Sequence, residues 1–390
     1  MKKLSTFLIL LLISPLLFSC QQEDHEASIK LKEAIIVYMC ADNNLKEVAD
    51  LNIEDMVEGI DPDADVFVYL DQGEKNSYIY KLVPDNLDAT RGNPVATFEN
   101  LDSGCESTVA KIIDHVLTHY PSETIGLVLW SHGSGWMAPA PSYTNKSFGD
   151  DNGNDMSIKD LTVALKSVLS RHNKTLYEYI LFDACLMGDI EVISELKDIC
   201  NYIAASTDLI LEDGYPYNQF MKAITNKNDD LETRLVKACE TYIHYYINQE
   251  KTSKQFGTLS LYKTSEVDRL IQTMNHIIST SYMNYNNLFY NGEIEFFNHT
   301  PFKDFMKTVE AHFTEAECTK LKQSISQMVI YTKNVDILLG RSKAEDHCGI
   351  SMFIPYHYFY YDLEYYTTGV WAEQSRYGVI LRNSINHNIN

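Results

Sequence analysis

The chain has 390 residues, 45% hydrophobic and 12% aromatic, which excludes a disordered protein and allows one large domain or two ordinary ones with ample core. Its formal charge of −22 repels nucleic acid, so no nucleic-acid partner is expected; the same field favours cationic ligands or serves plain solubility. Eight cysteines without a Cys-x-x-Cys pair exclude the common metal-ligand spacings and a small disulfide scaffold, and leave their pairing open.

The N-terminus is basic at Lys2 and Lys3, unbroken and apolar from Phe7 to Ile13, and reaches Cys20 through "LLFSC". Residues 1–20 therefore read as a signal peptide, shorter than the roughly 20 apolar residues of a spanning helix. The ending looks like a bacterial lipobox, so Cys20 is expected to carry lipid and anchor an exported protein to a membrane, periplasmic or at the cell surface. Phe18 is bulky for such a site, which keeps simple cleavage as the alternative. Residues 21–30 form a polar tether.

Buried strands are expected at "AIIVYMCAD" (34–42) and "ADVFVYLDQG" (64–73), with "SYIYKLV" (77–83) as an added hairpin strand. Residues 103–121 read as a helix with a Ser103/Glu106 capping box and a stop at Pro121. "TIGLVLWSHG" (124–133) is another strand, followed by a Gly/Pro/Asn/Asp-rich loop through residue 155 and a capped helix over 157–170. "YILFDAC" supplies the next strand, "MGDIEVISELKDI" its helix and "NYIAAST" a further strand. Doubly apolar strands alternating with helices imply an α/β fold, a mostly parallel sheet covered by helices on both faces. Ligands bind such sheets beyond the carboxyl ends of the strands, where Ser131-His132-Gly133 and Asp183-Ala184-Cys185 both fall. The core is expected over 31–250. Residues 251–390 form a mixed C-terminal region packed on it; over the last third helical patterns fit 229–248, 265–280 and 302–332, and strands "TLSLYKTS" and "GISMFIPY".

A lone cysteine is usually a small buried hydrophobe. A reactive one works as a thiolate in an electropositive, accessible place, which the N-terminus of a helix after Cys185 would provide. It also needs an acid for the leaving amine, and His132 closes the neighbouring strand. Gly133 frees a backbone N–H to approach a substrate carbonyl. A serine elbow requires Gly-x-Ser-x-Gly, but "LWSHGSGW" has Leu129 and His132 where the first glycine should be. A zinc site lacks a second histidine at helical spacing.

"YMCADNNL", "LVLWSHGSGW", "ILFDACLMGDIEV", "AASTDLILEDGYPY" and "GISMFIPY", in this order over residues 34–356, resemble the clostripain family of cysteine peptidases, relatives of caspases, legumains and gingipains. The resemblance implies a caspase-like fold, a His132–Cys185 dyad, an oxyanion hole from the N–H groups of Gly133 and Cys185, and cleavage after arginine or lysine. It makes Asp183 the specificity carboxylate, a strong charge-assisted partner for a basic side chain, and Asp213 a second candidate at the pocket rim. Otherwise Asp183 caps a helix and Asp213 belongs to an ordinary Asp-Gly turn. Relatives can cut themselves between the two motifs, and Lys146 is the candidate bond here. "FGDDNGNDMS" (148–157) resembles a calcium loop in composition but not in EF-hand spacing, so a solvated turn is expected, with no required cofactor and calcium second. The competing function is a non-catalytic surface lipoprotein that binds glycans or peptides through the tyrosine-dense segment 355–366.

Overall fold

Along β1 (Leu31–Cys40), Ile36, Tyr38 and Cys40 enter one hydrophobic core while Ile35, Val37 and Met39 enter another on the opposite side. An apolar run with no polar alternation is what a strand buried on both faces requires. The computed structural model describes residues 30–137, 147–251, 254–280, 301–335, 347–354 and 363–389. Cys20 and Lys146 lie outside them.

In chain order, β1 leads to α1 (Lys46–Gly59), β2 (Asp65–Asp71), β3 (Asn76–Lys81), α2 (Leu87–Gly92), β4 (Ala96–Glu99), α3 (Glu106–His119) and β5 (Ser122–Trp130). A hairpin of β6 (Phe148–Asp151) and β7 (Asn154–Met156) comes next, then α4 (Ile158–Arg171), β8 (Tyr177–Asp183), α5 (Ile190–Leu196) and β9 (Cys200–Ala205). The remainder supplies α6 (Tyr217–Ile224), α7 (Leu231–Ile247), β10 (Thr258–Lys263), α8 (Val267–Thr280), β11 (Phe302–Asp304), α9 (Phe305–Glu310), α10 (Glu315–Met328), β12 (Val329–Asn334), β13 (Ser351–Phe353), α11 (Leu363–Thr367), α12 (Val370–Gln374) and α13 (Tyr377–Ile389).

Among the described residues the central sheet has nine strands in the order β12-β10-β9-β8-β5-β1-β2-β3-β4. The strands from β9 to β2 are parallel, and antiparallel pairs extend both edges. Residues beyond 250 thus supply two strands to the sheet itself. Helices α3, α4, α5, α8 and α10 cover one face, and α1, α6 and α7 the other.

Three local expectations change. Ser103 makes no capping box: its N–H and hydroxyl both go to Asp151 Oδ2, and the helix begins only at Glu106. A long-range partner outcompeted the local cap. The helix expected over 302–332 divides into α9 and α10, and its ends pair as β11 with β13 and β12 with β10. Residues 148–156 form a hairpin turning at Asn152 and Gly153, both at positive φ (49° and 85°). Asn-Gly accepts that conformation, which suits a tight hairpin turn.

Asp189 joins three segments. Its Oδ1 accepts from Val192 N–H at 2.9 Å and caps α5, its Oδ2 accepts from Trp136 N–H at 3.2 Å, and its backbone bridges Ser351. Asp189→Ala is expected to destabilise the fold by about 2–4 kcal/mol, since it removes a cap and strands a buried donor. Urea unfolding measures it, and a loss below about 1 kcal/mol would show that water replaces both bonds.

Candidate active site

Strands β5 and β8 are parallel neighbours whose ladder ends at Trp130 opposite Asp183. The chain therefore leaves the sheet at adjacent points, bringing Ser131-His132-Gly133 against Ala184-Cys185. The approach is close: a Cβ on Gly133 would lie 2.5 Å from Cys185 O and 3.0 Å from Ala184 Cβ. Only glycine fits there. His132, Gly133, Asp183 and Cys185 all line one cavity of about 680 Å³.

Gly133 also keeps its N–H unspent. It pairs with Phe148 in a bridge whose hydrogen bonds, Ser134 N–H to Ser147 O and Gly149 N–H to His132 O, fall on either side of it. Such a non-hydrogen-bonded position leaves the amide free. The Cys185 N–H likewise donates to no backbone group among the described residues. The Cys185 N–H lies against its own sulfur, and together with the Gly133 amide it can hold an oxyanion beside the thiol.

The thiol itself is not where the sequence pattern put it. Residues 186–189 separate it from α5, and Asp189 rather than Cys185 caps that helix. No helix N-terminus favours the thiolate. Burial pushes the Cys185 thiol up to about 11, with Asp183 and Asp208 adding to the shift and the Ile210 N–H opposing it. Ile210 holds the sulfur from both sides: its N–H lies 3.3 Å from Sγ, and its carbonyl accepts from the thiol at 3.6 Å. Leu186 N–H to Asp208 O and Gly188 N–H to Ser206 O fasten the same strap across the cysteine loop. Leu186 at φ 62° marks the sharp turn after the thiol, a strained position for a branched side chain.

His132 is partly buried, which lowers its basicity against a weaker opposing pull from Asp150. Its Nε2 meets Asn44 Oδ1 at 2.7 Å. The hairpin β6–β7 walls this side, tied to the β1 end by Asn43 Nδ2 to Asp150 O (2.7 Å) and Asn152 N–H to Asp42 O (2.9 Å).

Asp183 is buried, and its Oδ2 accepts from Tyr215 N–H at 3.0 Å and Tyr217 Oη at 2.9 Å. Burial pushes its carboxyl up to about 6, and those two bonds pull the other way. Gly214 (φ 68°) brings the tyrosine loop against it, since a Cβ there would lie 2.7 Å from Oδ2. Asp213 is placed differently from its expected rim position. Its neighbours Glu212 and Gly214 line the cavity, while its carboxylate pairs with Lys254 at 2.5 Å.

Sequence reading passed over the strap at 206–210, the tyrosines that seat Asp183, and Asn44. The first two lie inside "AASTDLILEDGYPY" and the last in "YMCADNNL"; in each, polar or aromatic residues follow directly on a strand. All seven cysteines among the described residues are free thiols. Among the described residues no group of three or more His, Cys, Asp or Glu side chains could hold a metal ion, and no helix is long and apolar enough to cross a membrane. Of the tyrosine-dense segment, Tyr366 stacks on Phe353 at 4.4 Å and Tyr365 packs on Trp136 at 4.9 Å, so both face inward. Residues 355–362 lie outside the described ones.

A sequence model of the clostripain family matches residues 37–341. Among solved structures, an inactive zymogen C11 protease from Parabacteroides distasonis is similar, with 24% identity and a TM-score of 0.72 over 89% of this chain and 98% of that one. A secreted C11 cysteine protease from Bacteroides thetaiotaomicron, in complex with an irreversible peptide inhibitor, gives 23% and 0.72 over 89% and 99%. Another solved structure of a secreted C11 cysteine protease from that organism, named iotapain, gives 18% and 0.70 over 91% and 99%. These likenesses establish the shared fold. No curated protein matches.

A neutral resting thiol has a kinetic signature. Alkylation of the substrate-free protein by iodoacetamide at Cys185 is expected to accelerate with pH up to about 11, the value to which burial raises this thiol. A rate already flat from pH 6 to 8 would instead show a preformed thiolate–imidazolium pair.

Proposed function

Since the chain belongs to the clostripain family and is a cysteine peptidase, we propose that it cuts peptide bonds after arginine or lysine, with Cys185 as nucleophile and His132 as general acid. The observation that carries this reading is the shared cavity, lined by the thiol of Cys185, the imidazole of His132, the backbone of Gly133 and the buried carboxylate of Asp183.

A substrate's scissile carbonyl reaching the Cys185 sulfur from the cavity displaces the Ile210 contacts. Sulfur attacks the carbonyl carbon while the thiol proton passes to His132, and the oxygen takes the negative charge against the N–H groups of Gly133 and Cys185. Collapse breaks the carbon–nitrogen bond, and the imidazolium returns its proton to the leaving amine. Water then attacks the thioester with His132 as base, releasing the acid and the thiol. No cofactor is needed for any step. The basic side chain meets Asp183 at Oδ1, because Oδ2 is occupied by the two tyrosine donors. A cation there favours the ionised carboxylate and offsets the burial that resists it.

The basic start, the apolar run and Cys20 support export and lipid anchoring. Self-cleavage at Lys146, in a Gly/Pro/Asn-rich stretch between the two motifs, fits the same specificity. A Cys185→Ala protein would then stay one band on a denaturing gel while the active protein splits; identical intact bands remove self-cleavage.

Fluorogenic Arg and Lys peptides test the main reading. Turnover is expected, and Cys185→Ala and His132→Ala should each lower kcat by at least about 1,000-fold. Turnover that survives Cys185→Ala refutes it. Asp183 must be ionised to hold a cation and has its carboxyl raised to about 6, so KM should rise as pH falls below about 6. Asp183→Asn should raise KM at neutral pH by about 10–100-fold and abolish that pH dependence. An unchanged KM would remove Asp183 from substrate recognition.

A further inference from the structure

We propose that Asn44 is a positioning residue for His132, fixing the tautomer and direction of the imidazole so that Nδ1 is the nitrogen that exchanges a proton with Cys185. The proposal rests on the peptidase reading above and adds a third side chain to it.

Three observations carry it. Among the described residues, the Asn44 Oδ1–His132 Nε2 contact of 2.7 Å is the hydrogen bond that the imidazole makes to a side chain. An amide oxygen can only accept, so Nε2 carries the proton and Nδ1 keeps its lone pair. Second, Asn44 lines the cavity mouth beside His132, so the bond belongs to the site. Third, the turn that presents Asn44 is fastened to the loop that carries His132. Asn43 Nδ2 donates to Cys40 O at 3.1 Å and Asp150 O at 2.7 Å, and its Oδ1 accepts from Leu45 N–H at 2.9 Å. On the other side, Asp150 N–H donates to Ser131 Oγ at 3.2 Å, and Gly149 N–H to His132 O at 3.1 Å. Asparagine and imidazole are thereby held on one braced unit although 88 positions separate them.

A neutral acceptor also suits the chemistry. When His132 takes the thiol proton, Nε2–H stays bonded to Asn44 and Nδ1–H is the proton delivered to the leaving amine. A carboxylate in that place would hold the imidazolium more firmly and slow its release. The charged and titratable groups on the cavity walls around His132 are Asp150 and Asp155 from the hairpin, Asp183 and Cys185 at the end of β8, and Glu212 beyond the strap.

The test uses the full chain with a Lys or Arg fluorogenic peptide and the variants Asn44→Ala and Asn44→Asp. Asn44→Ala should lower kcat by about 10–100-fold with KM changed less than twofold, and leave the thermal midpoint of unfolding near that of the parent. Asn44→Asp should recover much of that kcat at high pH and move the acid limb of kcat upward by about 1 pH unit. Equal losses in both variants with an unshifted limb, or wild-type kcat in Asn44→Ala, overturn the proposal. Ring-proton NMR of His132 in the resting protein reads the contact without turnover: Asn44→Asp must raise the imidazole pKa, and no change refutes the contact. Failure of the wild type to cut any basic peptide would count against the peptidase reading, while the NMR titration still decides the role of Asn44.

Discussion

The space between Gly133 and Cys185 admits a hydrogen and nothing larger, because a methyl group on Gly133 would press within 2.5 Å of the Cys185 carbonyl. That contact is possible because β5 and β8 are adjacent parallel strands in register to their last residues, so two chain segments leave the sheet side by side. Everything in the site follows from this crowding. It brings imidazole and thiol to one cavity, with the backbone of Gly133 packed close against that of Cys185. Flanking elements only have to hold what the strand ends already juxtapose: Asp189 does so from below, the hairpin β6–β7 from one side and the 206–210 strap from the other.

The same crowding sets the electrostatics. Burial holds the Cys185 thiol near 11 and raises Asp183 to about 6 and Asp208 to about 8, while it lowers the basicity of His132. In each case the charged form loses solvent that the protein does not fully replace. The resting thiol and imidazole are therefore neutral at neutral pH, with the sulfur engaged by both ends of the Ile210 peptide. On the peptidase reading, charge arrives with the substrate, whose cation favours an ionised Asp183 and whose carbonyl receives the developing oxyanion. On the same reading a net charge of −22 would favour the approach of such substrates, although the thiol itself sits near Asp183 and Asp208, which disfavour its anion.

Local pattern served well where one face of an element decides its form. The doubly apolar run at 34–40, the stripe of α4 behind its Ser157 cap and the end of β8 at Asp183 are readable because strand and helix periodicities differ. It served poorly where a distant residue competes with a near one. Ser103 had a local helix to cap and bonds Asp151 instead. The segment 302–332 has helical periodicity, yet Phe302 and Val329 join strands because β13 and β10 offer unpaired edges.

The amino-acid sequence alone determined the α/β class, the two strand ends that carry His132 and Cys185, and the family to which their motifs belong, since these depend on periodicity and on short contiguous runs. Only the tertiary structure decided that the thiol lies clear of any helix N-terminus, that Ile210 engages it, that Asp213 turns to Lys254, and that Asn44 meets the imidazole. Each of those depends on a partner dozens of positions away or on the exact length of a connecting loop. No local propensity encodes such a distance; it emerges when the sheet closes its register.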